Sequence, residues 1–205
     1  MSEWIVSTYC FFSENQKQLA AFHSKLNAFS RTIAPTFTME KCGGFGTAWL
    51  GNVASNFKID PDSIENRGYI EYIEPTCHFG RFTIDVESAW KPMNKIWDDI
   101  LAEHFPAVKY VMTAHDEENN IYINTDADHK FFTDEWHVSY PYKNMTDTAY
   151  FASDKELIEF FNETKFRDEP FCNIDEIFEF VDKVRQTDGA QAIELDRFVK
   201  TYKSE

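Results

Sequence analysis

The order of two hydrophobic patterns constrains the fold of this chain more than any other feature of its sequence. Apolar residues that alternate with polar ones predict strands, whereas apolar residues three and four positions apart predict helices. Between residues 4 and 114 these patterns follow one another as strand, helix, strand, strand, helix, strand. The predicted elements are strands at 4–10, 68–74, 79–86 and 108–114, main helices at 13–33 and 90–104, and a shorter helical stretch at 48–57.

Capping signals mark the ends of the two main helices. Ser13 precedes Gln16 by three residues, which is the spacing of a capping box, and Pro35 ends the first helix. Pro92 opens the second helix, which ends near His104. The resulting order of elements is that of a ferredoxin-like α+β sandwich.

The last third of the chain is predicted to add strands and helices to this core. The additional strands are predicted at 121–125, 136–140 and 148–152. Two further helices begin with capping boxes, formed by Ser153 with Glu156 and by Asn173 with Glu176. Gly189 ends the second of them, and residues 190–202 are predicted to form a terminal helix with four inward residues, Ile193, Leu195, Phe198 and Val199.

No Ser-, Gly- or Pro-rich linker separates these segments from the core. We therefore predict a single domain over residues 1–205, with a ferredoxin-like core at about 1–126 and a strand and helix extension at 127–205. The predicted fold class is α+β, namely a ferredoxin-like sandwich (β-α-β-β-α-β) extended by extra antiparallel strands and C-terminal helices. Its predicted core residues are Phe22, Leu26, Phe82, Ile84, Ile96, Trp97, Leu101, Val111 and Ile123.

The negative charge of the chain is concentrated in one stretch of the sequence. The formal net charge is −15, and residues 115–182 contain 18 acidic but only 5 basic residues. Such a field repels nucleic-acid phosphates, so we predict no direct nucleic-acid binding, and it attracts a basic protein partner. An alternative left open is that the acids only keep the protein soluble. The candidate binding surface consists of Asp116, Glu117, Glu118, Asp126, Asp128, Asp134 and Glu135.

The N-terminus lacks the basic and apolar regions of a signal peptide, and no run of 18 apolar residues occurs. The four cysteines, Cys10, Cys42, Cys77 and Cys172, are far apart and form no C-x-x-C pair. We therefore predict a cytoplasmic protein with reduced thiols and no membrane association.

One segment contains residue types that bind hard cations. It comprises Asp126, Asp128, His129, Asp134, Glu135 and His137. An EF-hand does not fit, because the sixth position counted from Asp126 is Phe131 rather than Gly. The two interpretations of this segment are a solvated acidic loop and the metal site of a metal-dependent hydrolase.

No nucleophilic catalytic site is recognisable. The sequence has no G-x-S-x-G motif, and Cys77 and His78 are adjacent on a predicted hairpin, so their side chains point in opposite directions. We therefore predict no catalytic residues, no cofactor and a protein that is not an enzyme, with the metal-dependent hydrolase as the alternative. Four tryptophans are candidates for an aromatic binding face, although Trp97 has the spacing of a core residue; they are Trp49, Trp90, Trp97 and Trp136.

Several short motifs carry a family resemblance. They are Ser88-Ala-Trp-Lys-Pro-Met93, the Trp49-Leu-Gly-Asn52 segment, a helix that closes on Phe105-Pro106, and a hairpin that ends at Asp126. Together they resemble the YubB-type ferredoxin-like family, whose members are encoded by phages, plasmids and integrated elements of bacteria. Lys91 and Met93 depart from the family junction, which has Ser and Pro at these positions. The resemblance implies a ferredoxin-like fold and supplies no activity.

The charge distribution predicts a protein that binds another protein through an acidic face, and the resemblance implies an accessory protein of bacterial or mobile-element origin. A sharper form of this hypothesis is that the acidic face mimics nucleic acid. The alternative is a metal-dependent hydrolase that uses residues 126–137.

Overall fold

The computed structural model describes residues 4–30, 46–116, 121–142, 145–164, 166–188 and 193–200. These residues form a mixed α+β structure with five α-helices and two antiparallel sheets. The strands are β1 (Trp4–Phe12), β2 (Gly68–Ile73), β3 (Arg81–Ala89), β4 (Lys109–Asp116), β5 (Ile121–Asn124), β6 (Trp136–Tyr142), β7 (Met145–Phe151) and β8 (Glu194–Arg197). The α-helices are α1 (Gln16–Ser30), α2 (Leu50–Asn56), α3 (Asn94–His104), α4 (Asp154–Thr164) and α5 (Ile174–Asp188).

The chain divides after Ile121 into two compact units. The predicted boundary between core and extension, near residue 126, lies within five residues of this division. That the two units form a single domain stays a prediction.

The first unit contains a sheet in which β1 is central. Within this unit the strand order is β2-β3-β1-β4, so strands that are consecutive in sequence are not all neighbours. β1 pairs with β3 and with β4, and β2 pairs with β3, all antiparallel. The predicted strands therefore exist, but β3 begins at Arg81 rather than at residue 79, because Phe79 and Gly80 form the hairpin turn.

Aromatic side chains fill the core of the first unit. The ring of Phe11 lies 5.0 Å from that of Phe22 on α1, 5.3 Å from Phe82 on β3 and 5.5 Å from Trp97 on α3. Because β1 side chains alternate, Tyr9 shares this face, and its hydroxyl donates a hydrogen bond of 2.9 Å to Asn94 Oδ1. The helices that follow β1 and β3 therefore cover the same face of the sheet.

Eight of the nine predicted core residues are buried. Val111 is only half-buried; it pairs with Cys10 and lies on the face of the sheet that does not carry Phe11. Ile123 is buried, but it belongs to the second unit.

The second unit contains the three-stranded sheet β7-β6-β8 with α4 and α5. Its buried cluster joins strand and helix residues: Trp136, Val138, Leu157, Phe161, Phe171, Ile177, Val181, Ile193 and Leu195. The indole Nε1 of Trp136 donates a hydrogen bond of 2.9 Å to Asp154 Oδ1 at the start of α4. The buried indole N–H therefore has a hydrogen-bond acceptor, which is a carboxylate at the N-terminus of α4.

The predicted terminal helix over residues 190–202 is wrong. Residues 194–197 form β8, which pairs antiparallel with β6 in the register Val138↔Leu195. Ile193, Leu195 and Phe198 are buried, whereas Val199 is 53% exposed. The sequence Ile-Glu-Leu-Asp alternates with period two, and pairing with β6 gives backbone hydrogen bonds that a solvated helix end lacks.

Two of the three predicted capping boxes are present. Glu156 N donates to Ser153 Oγ at 3.3 Å, and Glu176 N donates to Asn173 Oδ1 at 3.0 Å. The first box is wrong, because α1 begins at Gln16 and its cap is Asn15, whose Oδ1 accepts from Gln18 N at 3.2 Å. Ser13 Oγ instead donates to the carbonyl of Ala107 at 2.6 Å.

Within the described ranges, no helix is both long and apolar enough to cross a membrane. Cys10, Cys77 and Cys172 are not in disulfides, and Cys42 lies outside the described residues.

Candidate functional site

The loop after β5 contains most of the predicted acidic surface. Two buried polar side chains, Asn124 and Asp126, hold its conformation through hydrogen bonds to the backbone. Asn124 Nδ2 donates to the carbonyls of Phe132 at 3.0 Å and Asp134 at 2.9 Å. Asp126 is 4% exposed, and its Oδ2 accepts hydrogen bonds from the backbone N–H groups of Phe131 and Phe132. The carboxylate of Asp126 therefore organises its own loop, because buried acceptors require donors.

Glu135 is also engaged inside the second unit. Its side chain is 12% exposed. The carboxylate accepts hydrogen bonds from Arg197, which donates from Nε at 3.2 Å and from Nη2, and pairs with Lys200 at 3.4 Å. Burial alone would raise the pKa of Glu135, but hydrogen bonds from Arg197 and Lys200 and their positive charge lower it below its ordinary value. Glu135 is thus a neutralised acid.

The remaining predicted surface acids differ in position. Asp128 is exposed, and Asp134 is half-buried in the same loop. Asp116 is the last residue of β4, in the first unit. Glu117 and Glu118 lie outside the described residues.

The six metal-ligand candidates of residues 126–137 are not gathered into one cluster. His129 has a positive φ of 50°, and its Nδ1 is buried without a hydrogen-bond partner. In the part of the chain that the structure describes, no three His, Cys, Asp or Glu side chains are grouped to hold a metal ion.

His137 belongs instead to a row of polar and aromatic residues across the second sheet. It is paired in register with Tyr150 on β7 and Asp196 on β8. Its ring stacks on Tyr122 with centroids 4.3 Å apart, and its Nε2 lies 3.5 Å from the Tyr122 hydroxyl. His137 Nδ1 lies 3.7 Å from Asp196 Oδ2, and both atoms are buried without a hydrogen-bond partner among the described residues.

Several acids of α4 and α5 have internal partners. Asp154 accepts from Trp136, Glu156 Oε2 accepts from the backbone N–H of Ala152 at 3.0 Å, and Glu159 pairs with Lys155 at 3.6 Å. Glu176 pairs with Arg167 at 2.7 Å, and hydrogen bonds from Arg167 lower the pKa of Glu176. These acids therefore already have partners within the second unit.

Six other acids of this region are exposed and have no hydrogen bond or ion pair through their carboxylates with any described residue. We call them the acidic α4–α5 segment: Glu163, Asp168, Glu169, Asp175, Glu179 and Asp182. Three of them, Asp175, Glu179 and Asp182, are spaced i, i+4 and i+7 on α5 and therefore lie on one side of that helix. Like charges at this spacing cost about 0.2–0.5 kcal/mol per pair.

The four tryptophans do not form an aromatic face. Trp49, Trp97 and Trp136 are buried, whereas Trp90 is 53% exposed. The prediction that Trp97 belongs to the core is confirmed.

Comparison with known proteins matched no family model, no curated protein and no solved structure.

Two features of the site are not apparent from local sequence. The cations that neutralise Glu135 are 62 and 65 positions away in the chain, at Arg197 and Lys200. The pairing of His137 with Asp196 depends on β8, which was predicted as helix. The period-two alternation of residues 193–196 is a signal for a strand, but it does not identify β6 as the partner.

Proposed function

We propose that this protein is a non-enzymatic binding module that engages a basic protein through its acidic α4–α5 segment. The observation that supports this proposal is the stripe of Asp175, Glu179 and Asp182 on one side of α5. These side chains are exposed, and their carboxylates form no ion pair with any described residue. Mutual repulsion within such a stripe is offset when a cationic surface binds it. This proposal moves the acidic face from the loop after β5 to the helices, because Asp126 and Glu135 are already engaged internally.

The mimicry of nucleic acid is a sharper form of the same proposal. The stripe places three carboxylates within about 10 Å along the helix axis, since each residue rises 1.5 Å. A single DNA strand carries one phosphate per about 3.4 Å of helix axis, so the stripe is a sparser but linear array of negative charge. A basic groove that binds nucleic acid is accordingly the expected partner surface.

We further propose that the first unit is a ferredoxin-like sandwich of the YubB type. Its antiparallel order β2-β3-β1-β4, with helices after β1 and β3 on one face, supports the fold. The mobile-element origin that the resemblance implies belongs to this proposal.

The binding proposal is tested by matched charge neutralisation. One variant carries Asp175→Asn, Glu179→Gln and Asp182→Asn, and the control carries three exposed acids of other segments changed likewise, Glu14→Gln, Glu71→Gln and Asp128→Asn. Both raise the net charge by three. We expect affinity for an eight-residue oligolysine, measured by calorimetry at low salt, to fall several-fold more in the helix variant than in the control.

The salt response provides a second measurement. Binding should weaken steeply towards physiological salt, where the Debye length is about 8 Å. Equal losses in the two variants, or a flat salt response, would show that the stripe is not a recognition surface. If the proposal is correct, a basic protein captured from the source cells by the wild type is also captured by the control variant and is lost only with the helix variant.

Thermal unfolding with added metal tests the alternative, a metal-dependent hydrolase. A rise in Tm of several degrees with Mn²⁺ or Zn²⁺, reversed by EDTA, would favour it, because a ligand that binds only the folded state stabilises that state.

A further inference from the structure

Trp90 is the first residue of the segment between β3 and α3, and its backbone has a positive φ. Its φ is +67°, a left-handed value that costs a bulky L-residue about 1–2 kcal/mol, and the residue is 53% exposed. Neither local backbone preference nor burial of the ring therefore accounts for a tryptophan at this position. Such strain persists where the surrounding structure imposes it, and it concentrates at binding sites.

Hydrogen bonds constrain the backbone before and after Trp90. Ala89 N donates to the carbonyl of Arg67 at 2.8 Å, and Ser88 Oγ donates to the carbonyl of Lys91 at 2.8 Å. The backbones of β2 and β3 approach so closely that a Cβ on Gly68 would lie 2.7 Å from the carbonyl oxygen of Glu87. The backbone on either side of Trp90 is thus constrained before any ligand binds.

Arg67 supplies an unmatched cation beside the indole. Its guanidinium carbon lies 4.3 Å from the centroid of the Trp90 ring, which is a cation–π distance. Among the residues that the structure describes, the guanidinium has no hydrogen bond and no ion pair. Stacking on the ring leaves its N–H edge able to bind a carboxylate through two parallel hydrogen bonds.

A cavity of about 300 Å³ adjoins this pair. Its apolar wall is formed by Pro61, Ile64, Ala89, Trp90 and Met93. At its rim, Lys91 Nζ and Glu65 Oε2 neutralise each other at 2.7 Å. Asp62 also lines the cavity, so its wall carries two acids and two bases, and a singly charged group suits it better than a phosphate dianion.

We propose that this cavity binds a monocarboxylate attached to a flat apolar group, with the carboxylate on Arg67 and the apolar group against Trp90. The chemistry is shared by a free aryl-alkyl acid and by a peptide that ends in an aromatic residue. The site lies in the first unit and is independent of the acidic α4–α5 segment.

The first experiment is a titration with 3-phenylpropionate, followed through the five indole N–H signals in ¹H–¹⁵N spectra of the whole protein. The Trp90 signal, identified with Trp90→Phe, should move with a Kd of about 1 mM or tighter. The neutral 3-phenylpropanamide should bind at least about tenfold more weakly, because it offers no charge to Arg67. N-acetyl-Gly-Gly-Phe and its amide, titrated in the same way, separate a peptide C-terminus from a free acid as the natural ligand.

Two variants test the assigned residues. Arg67→Gln should weaken binding of the acid about tenfold and leave the amide unchanged, whereas Arg185→Gln, an exposed arginine on α5, should change neither. Trp90→Gly removes the indole and fits the left-handed backbone, so it should retain the fold and abolish the response of the remaining signals to the acid. Equal binding of acid and amide, or wild-type affinity in Arg67→Gln, would overturn the proposal.

Discussion

His137 Nδ1 lies 3.7 Å from Asp196 Oδ2 across the β6–β8 pair, and neither atom has a hydrogen-bond partner among the described residues. A buried polar pair at this distance lacks the hydrogen bond that normally offsets desolvation. The ring of His137 nevertheless packs well, with Tyr122 stacked 4.3 Å away. Packing, rather than the polar pair, should therefore dominate the contribution of His137 to stability.

This relationship predicts different costs for two substitutions of His137. His137→Phe keeps the stacked ring and loses the unpartnered Nδ1 together with the 3.5 Å contact between Nε2 and the Tyr122 hydroxyl, so its free energy of unfolding should fall by no more than about 1 kcal/mol. His137→Ala creates a cavity and should cost about 3 kcal/mol. Urea denaturation followed by circular dichroism measures both, and similar costs for the two variants would show that the polar pair itself stabilises the unit.

Asp126 and Asp128 should differ sharply although they lie two residues apart. Asp126→Ala leaves the N–H groups of Phe131 and Phe132 without their acceptor and should cost about 2 kcal/mol. Asp128→Ala, at an exposed position, should change stability by less than about 0.5 kcal/mol. Thermal unfolding of the two variants is the measurement, and a neutral Asp126→Ala would contradict the structural role of that carboxylate.

The ion pairs of Glu135 predict a pH dependence of stability. Because its pKa is lower in the folded state than its ordinary value of 4.5, its contribution is present above pH 4.5 and is lost as the pH falls through the folded-state pKa. Glu135→Gln should cost about 1–2 kcal/mol at neutral pH, and this difference from the wild type should shrink as the solution is acidified below pH 4.5.

Glu194→Gln is the matched control for Glu135, because Glu194 is an exposed acid on β8 without a hydrogen bond or ion pair through its carboxylate within the described ranges. Its stability difference from the wild type should be small at every pH. Denaturation curves recorded at a series of pH values test both variants, and a pH-independent cost for Glu135→Gln would refute the assignment.

Phe79 should be replaceable with a gain in stability. It is fully exposed at the β2–β3 turn, where Phe79 and Gly80 have φ values of 48° and 79°, the conformation that favours Asn-Gly. Phe79→Asn should stabilise the protein by about 0.5–1 kcal/mol, whereas Phe79→Ala keeps an L-residue that disfavours this φ and should gain less. Urea denaturation compares them, and a loss of stability in Phe79→Asn would mean that the ring makes a stabilising contact.

Much of the candidate site could not be predicted from the sequence. The sequence shows that acidic residues are concentrated in residues 115–182. Whether each carboxylate is paired or exposed depends on its neighbours in the folded structure. Asp126 and Glu135 look like surface acids in sequence, yet one closes a loop and the other meets Arg197. By contrast, Asp175, Glu179 and Asp182 have the exposure that their helical spacing predicts.

The sequence by itself determined the elements whose causes are local. The order of strands and helices through β5, and the caps of α4 and α5, depend on periodicity and on side chains within four residues of the backbone groups that they satisfy. Only the tertiary structure decided that residues 194–197 form a strand, because β6 offers them an edge to pair with, and that Trp90 is exposed beside Arg67. These outcomes depend on contacts between distant segments, whose free energies exceed the small local preferences of the backbone.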